Sequence, residues 1–93
     1  MEIQQFNRET KGHFKVVEDG KEAGIMTYSW AGKEKIIIDH TDVNPEFKGK
    51  GVGNKMVMAA VDYARGNNIK IIPLCPFAKS VFDKTEAIRD VLA

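Results

Sequence analysis

The stretch "NPEFKGKGVGNKMV", residues 44–57, sets glycines at positions 49, 51 and 53 and lysines at 48, 50 and 55, then runs straight into an apolar segment. Alternating glycines at a helix start are costly, because glycine gives up more conformational freedom on folding than any other residue. Such a turn makes sense where bare main chain is needed. It aims several backbone N–H groups at one spot, the helix dipole adds partial positive charge, and an anion can come close. Lys48, Lys50 and Lys55 suit a ligand with more than one phosphate.

The hydrophobic period changes across this turn. Upstream it is two: "HFKVV" (13–17) meets "KEAGIMTYSW" (21–30) across Asp19-Gly20, a strong signal for a tight hairpin. In the second run Met26, Tyr28 and Trp30 alternate with Ile25, Thr27 and Ser29, which predicts a strand with one bulky face set against the core or a cleft wall. "AGK" (31–33) reads as a turn and "EKIIIDHTDV" (34–43) as a long strand, while "EIQQFNRE" (2–9) supplies a further strand joined by "TKG". Downstream, Met56, Val57, Ala60, Val61 and Ala64 recur at helical spacing from Asn54 to Arg65, with Asn54 as N-cap and Gly66 as the left-handed stop. "IKIIPL" (69–74) is a short strand, and a second helix runs from Pro76 into the C-terminus. Strand, glycine turn, helix, strand is the order of a right-handed crossover between parallel neighbours. The expected fold is α/β with a mixed sheet: an antiparallel meander, a β-α-β crossover and a C-terminal helix.

At 93 residues the chain makes a single domain, 1–93, with 43% hydrophobic and 29% charged residues, ordinary for a globular protein. No segment approaches the roughly 18 apolar residues of a membrane span, and "MEIQQFNRE" does not read as a signal peptide. One cysteine excludes an internal disulfide and a zinc site built on several thiolates; no metal site is expected, and a reducing, cytoplasmic setting is the default. A net charge of +1 argues against a nucleic-acid binder at the level of the whole chain, so anion recognition must be local.

Two nucleotide fingerprints fail on the glycine turn. G-x-x-x-x-G-K-[ST] has no glycine at the required spacing, and G-x-G-x-x-G meets Asn54 and Met56 at its last position. The pattern that fits is [RQ]-x-x-G-x-[GA], read as Lys48-Gly49-Lys50-Gly51-Val52-Gly53, with lysine in the leading place. This resembles the pyrophosphate-binding turn of the GNAT superfamily of acetyltransferases, and the resemblance extends over residues 13–84. In particular, the chain is similar to the small single-domain, GNAT-like N-acetyltransferase-related proteins. The resemblance implies that acetyl-CoA is held by Lys48, Gly49, Lys50, Gly51, Val52, Gly53 and Asn54. It further implies that the strands ending near Val43 and Leu74 splay to admit the pantetheine arm, with a backbone amide near Val43 on the thioester carbonyl. Typical members insert two helices between their first two strands and add two strands after the last helix, forming much of the acceptor pocket. Here only "TKG" stands at the first place, which suggests a coenzyme-binding core with few acceptor walls.

Many members also carry N-x-x-A-x-x-[LVI]-Y after the last core strand, the tyrosine acting as general acid. In "CPFAKSVF" Ala78 is in register, Cys75 stands at the asparagine and Phe82 at the tyrosine, so the usual proton donor is absent. Cys75 sits where a strand hands over to a helix, with Pro76 suited to the first helical position, and a helix N-terminus stabilises a thiolate. His40 on the long strand is its natural partner, and a Cys–His pair would activate the thiol as nucleophile or proton donor. The expected activity is acetyl transfer to an unidentified amine; a basic acceptor fits beside Asp39, Asp42 and Glu46. The rival expectation is a non-catalytic acyl-CoA-binding module or sensor completed by a partner protein. A weaker one is a phosphoprotein or nucleic-acid reader built on the lysine-rich turn.

Overall fold

The computed structural model describes residues 1–93 as one five-stranded sheet with two helices on one face. In chain order the elements are β1 (Glu2–Asn7), β2 (Lys11–Glu18), β3 (Lys21–Trp30), β4 (Lys35–Val43), α1 (Val52–Asn67), β5 (Lys70–Pro73) and α2 (Pro76–Lys84). Short 3-10 turns occupy Pro45–Phe47 and Glu86–Val91. The strands lie in sequence order, with β1 to β4 antiparallel and β4–β5 parallel. This is the expected mixed sheet. Asp19 and Gly20 turn the β2–β3 hairpin with φ of 50° and 77°, the two left-handed residues a tight hairpin asks for.

Alternation along the strands builds one covered face. Phe14, Val16, Met26, Tyr28, Ile36, Ile38 and Ile71 are all buried there, against Val52, Met56, Val57, Ala60, Val61 and Ala64 of α1 and Ala78, Val81 and Phe82 of α2. Burial of each large apolar side chain contributes about 1.5–3 kcal/mol, and no polar or charged residue is buried among them. Trp30 is half-buried, its indole N–H donating to Asn7 Oδ1 at 2.9 Å. No helix is long and apolar enough to cross a membrane.

Helix ends differ from the sequence expectation. α1 starts at Val52 with Gly51 as N-cap, not at Asn54, because Val52 and Gly53 are themselves packed into the core. At its other end the helix runs through Gly66 and closes on Asn68, φ 55°, whose N–H and that of Ile69 both bond to Ala64 C=O. Asparagine tolerates the left-handed conformation, and closing there lets Ile69 enter the core. α2 stops at Lys84 rather than continuing to the C-terminus. Arg89 Nε donates to Phe82 C=O at 2.9 Å, and Arg65 grips Asp90 at 2.7 Å, tying the following 3-10 turn to both helices. Leu92 then forms a bridge to Ile71 at the edge of β5.

Candidate functional site

Two helix starts and a gap between strands converge at one end of the sheet. The first start is the glycine turn. Gly49 and Gly51 lie at φ 84° and 75°, a backbone that a residue with a β-carbon rarely adopts. The first intrahelical bond runs from Lys55 N–H to Gly51 C=O at 3.0 Å, and no side chain caps the helix. The N–H groups of Val52, Gly53 and Asn54 are therefore left without partners, at the positive end of a 16-residue helix. Lys48, Lys50 and Lys55 are exposed and make no ion pair, whereas nearby Glu46 is taken by Lys21 at 3.0 Å. This geometry suits a compact, multiply charged anion.

The gap opens beside it. β4 and β5 pair only from Lys35↔Lys70 to Ile38↔Pro73. The N–H groups of Leu74 and Cys75 both end on Ile38 C=O, at 3.2 and 3.0 Å, and no ladder follows. β4 nevertheless continues to Val43. Asn44 N–H bonds to Ala23 C=O on the β3 side at 2.8 Å, so strand alternation turns the Val43 amide toward the open edge.

The second helix start is filled by the chain itself. Cys75, 5% exposed, is the N-cap of α2, with Pro76 following it. Its thiol donates to Thr41 Oγ1 at 3.3 Å. Burial is the largest single influence on the thiol and pushes its pKa up. The Thr41 hydroxyl and the backbone amides of Ala78, Phe77 and Thr41 together outweigh burial, and Cys75 titrates below the ordinary thiol value. The two starts touch, because Phe77 of α2 lies so close over Gly53 that a β-carbon there would fall 2.4 Å from its ring.

His40 does not join this group. Tyr28 pairs with Ile38 and Thr27 with His40, so Asp39 is an extra residue in β4, a bulge. Without it, alternation from Ile36 and Ile38 would place His40 on the covered face. The bulge shifts the phase by one and puts Thr41, opposite buried Met26, on that face instead. His40 is exposed, with Thr27, on the open face. The expected Cys75–His40 pair is thus replaced by Cys75–Thr41. Sequence reading missed Thr41 because the bulge depends on pairing with β3, and missed Phe77 because its partner is a glycine distant in sequence. Phe82, at the place of the resembled family's tyrosine, is a core residue at 1% exposure.

The chain that carries this turn and this splayed strand pair is similar over most of its length to known proteins. Residues 13–91 match the GCN5-related N-acetyl-transferase family. A GCN5-like N-acetyltransferase from Staphylococcus aureus, solved by NMR, is 37% identical with a TM-score of 0.72, covering 99% of this chain and 87% of that one. An aminoglycoside N-acetyltransferase solved in complex with CoA shares the fold at 13% identity and a TM-score of 0.65, over 89% of this chain and 88% of that one. Protein NATD1 of Xenopus tropicalis is 28% identical over 51 residues, 55% of this chain but only 47% of that protein's length. With most of its length matched by the family and nearly all of it by a solved relative, this chain belongs to the GCN5-related N-acetyltransferase family.

Proposed function

We propose that the chain binds acetyl-CoA and transfers its acetyl group to an amine. The observation that carries this reading is the left-handed Gly49–Gly51 turn with its unpartnered amides, set beside the gap that opens after Ile38. In this reading Lys48 to Asn54 hold the diphosphate, and the Val43 N–H donates to the thioester carbonyl. Cys75 attacks that carbonyl as its sulfur gives up a proton by way of Thr41. The bond from the acetyl carbon to the CoA sulfur breaks, the proton goes to that sulfur, and acetyl-Cys75 results. An amine that arrives as its ammonium then attacks acetyl-Cys75 after giving its first proton away; the bond from the acetyl carbon to the Cys75 sulfur breaks, and the second proton passes to that sulfur by way of Thr41, restoring the thiol. His40, on the opposite face of β4, takes the first proton, the one that frees the amine to attack. In a direct variant the amine attacks the coenzyme thioester itself, and Cys75 only supplies the proton to the departing sulfur.

A second reading, a binding module completed by a partner protein, is favoured by one observation. The residue in the tyrosine's place is Phe82, a buried ring with no hydroxyl to donate. Calorimetric titration with acetyl-CoA followed by intact-mass measurement separates the readings. An added acetyl group on Cys75 supports the covalent route. Coenzyme A release with amines but no adduct supports direct transfer, and binding with neither supports the module. His40→Gln should slow amine acetylation while leaving formation of the adduct unchanged. No binding at all would overturn every version.

A further inference from the structure

The open face of the sheet carries a second recess. A cavity of about 390 Å³ is lined by Arg8, Lys11, His13, Thr27, Ser29 and Asp39, with the Phe6 ring forming one wall. Charge in it is divided. Arg8 and Lys11, at the β1–β2 turn, make no ion pair within the chain. At the other end Asp39 is the residue that the bulge adds to β4, next to Ile38, where β4 and β5 part. One Asp39 oxygen accepts from Ser29 Oγ at 2.7 Å, and the other has no partner within the chain. Between the two ends His13 stacks on Phe6 with ring centroids 5.0 Å apart. Its Nε2 is closed off from solvent and has no hydrogen-bond partner.

We infer that this recess binds a small zwitterion, an amine that also carries a carboxylate, and presents it as the acetyl acceptor. The ammonium sits on Asp39 and Ser29, beside the opening between β4 and β5. The carboxylate sits on Arg8 and Lys11, and the stacked His13 and Phe6 rings wall the space between the two ends. Lys11 pairs directly with Ser29, and Asp39 lies one strand further on. With strands about 4.8 Å apart, the recess accommodates a molecule whose charges are separated by roughly 5–10 Å. Its role as acceptor rests on the transfer reading above; the binding does not.

The test is an NMR titration of the full chain with 4-aminobutyrate, with butylamine and butyrate as single-charge controls, in the absence of acetyl-CoA. Saturable shifts at His13, Ser29 and Asp39 are expected, with binding about tenfold or more tighter than either control, a margin equivalent to one bidentate or charge-assisted contact. Asp39→Asn should remove the advantage over butyrate, and Arg8→Ala with Lys11→Ala the advantage over butylamine; both changes lie on exposed residues. Shifts that do not saturate, equal binding of the controls, or binding untouched by Asp39→Asn would each overturn the inference. If the zwitterion binds but acetyl-CoA does not, the transfer reading fails while the recess stands. If acetyl-CoA binds and the recess stays silent, only the inference about the recess fails.

Discussion

The starts of α1 and α2 meet at the contact between Gly53 and Phe77, yet they handle the same physical problem in opposite ways. Each leaves backbone N–H groups with no intrahelical acceptor and a partial positive charge. α1 opens on glycine, has no capping side chain, and leaves its first amides without partners. α2 opens on Cys75, whose thiol the Thr41 hydroxyl and, after it, the amides of Ala78 and Phe77 hold below the ordinary value against the opposing effect of burial. One terminus leaves its amides unpartnered, and the other sets a thiol beside its own. The difference begins with the capping residue, a bare Cα in one case and a thiol in the other, and Thr41 of β4 adds to it at the second.

The sharpest way to break this comparison is to give α1 a cap of the wrong charge. Gly51→Glu places a carboxylate where the anion would lie and forces a side chain into a left-handed backbone. Calorimetry should show acetyl-CoA affinity falling by roughly a hundredfold or more, against a folding cost of only about 1–2 kcal/mol. Unchanged affinity would remove the anion site. At the other start, Cys75→Ala should leave coenzyme affinity within about twofold and lower acetyl transfer by roughly a hundredfold or more, the size of a lost nucleophile or proton donor. A fully active variant would reduce the thiol to packing.

A third change tests the contact between the two starts. In urea unfolding Gly53→Ala should be about 1 kcal/mol less favourable with Phe77 present than in a Phe77→Ala chain, because its methyl group forces the partly exposed Phe77 ring aside. Additive losses would mean the two residues do not press on one another. The smallest effect concerns the thiol's surroundings. Thr41→Val removes the hydroxyl that accepts from the Cys75 thiol and, once the proton is lost, rotates to donate to the thiolate, so the pH profile of thiol alkylation should move to higher pH. The stability consequence follows from the same shift. Between the lowered native value and the ordinary thiol value near 9.0, the unfolded chain binds more protons than the folded one, so stability rises with pH. That gain is lost as pH falls through the native value, and Thr41→Val should flatten it. A profile unmoved in either measurement would show that the hydroxyl does not act on the thiol.

Much of this was legible in the residues alone. A period of two up to Val43, a period of 3.6 through the segment 54–65, and an Asp-Gly hairpin depend on neighbours a few positions away. They determined the mixed sheet and the crossover, with the glycine turn at the start of α1. Where a helix ends was less legible. Gly51 rather than Asn54 begins α1, and Asn68 rather than Gly66 ends it, because burying Val52, Gly53 and Ile69 in a shared core outweighs the local preference of a capping residue.

Which side chains face one another across the site was decided only in three dimensions. Alternation is a local rule, and it places His40 beside the buried isoleucines of β4. The extra residue at Asp39 arises from how β4 aligns with β3, and a shift of one residue carries every later side chain to the other face of the sheet. So Thr41, not His40, meets the thiol of Cys75. Asp39 instead joins Ser29 on the open face, a pairing that no spacing in the chain predicts.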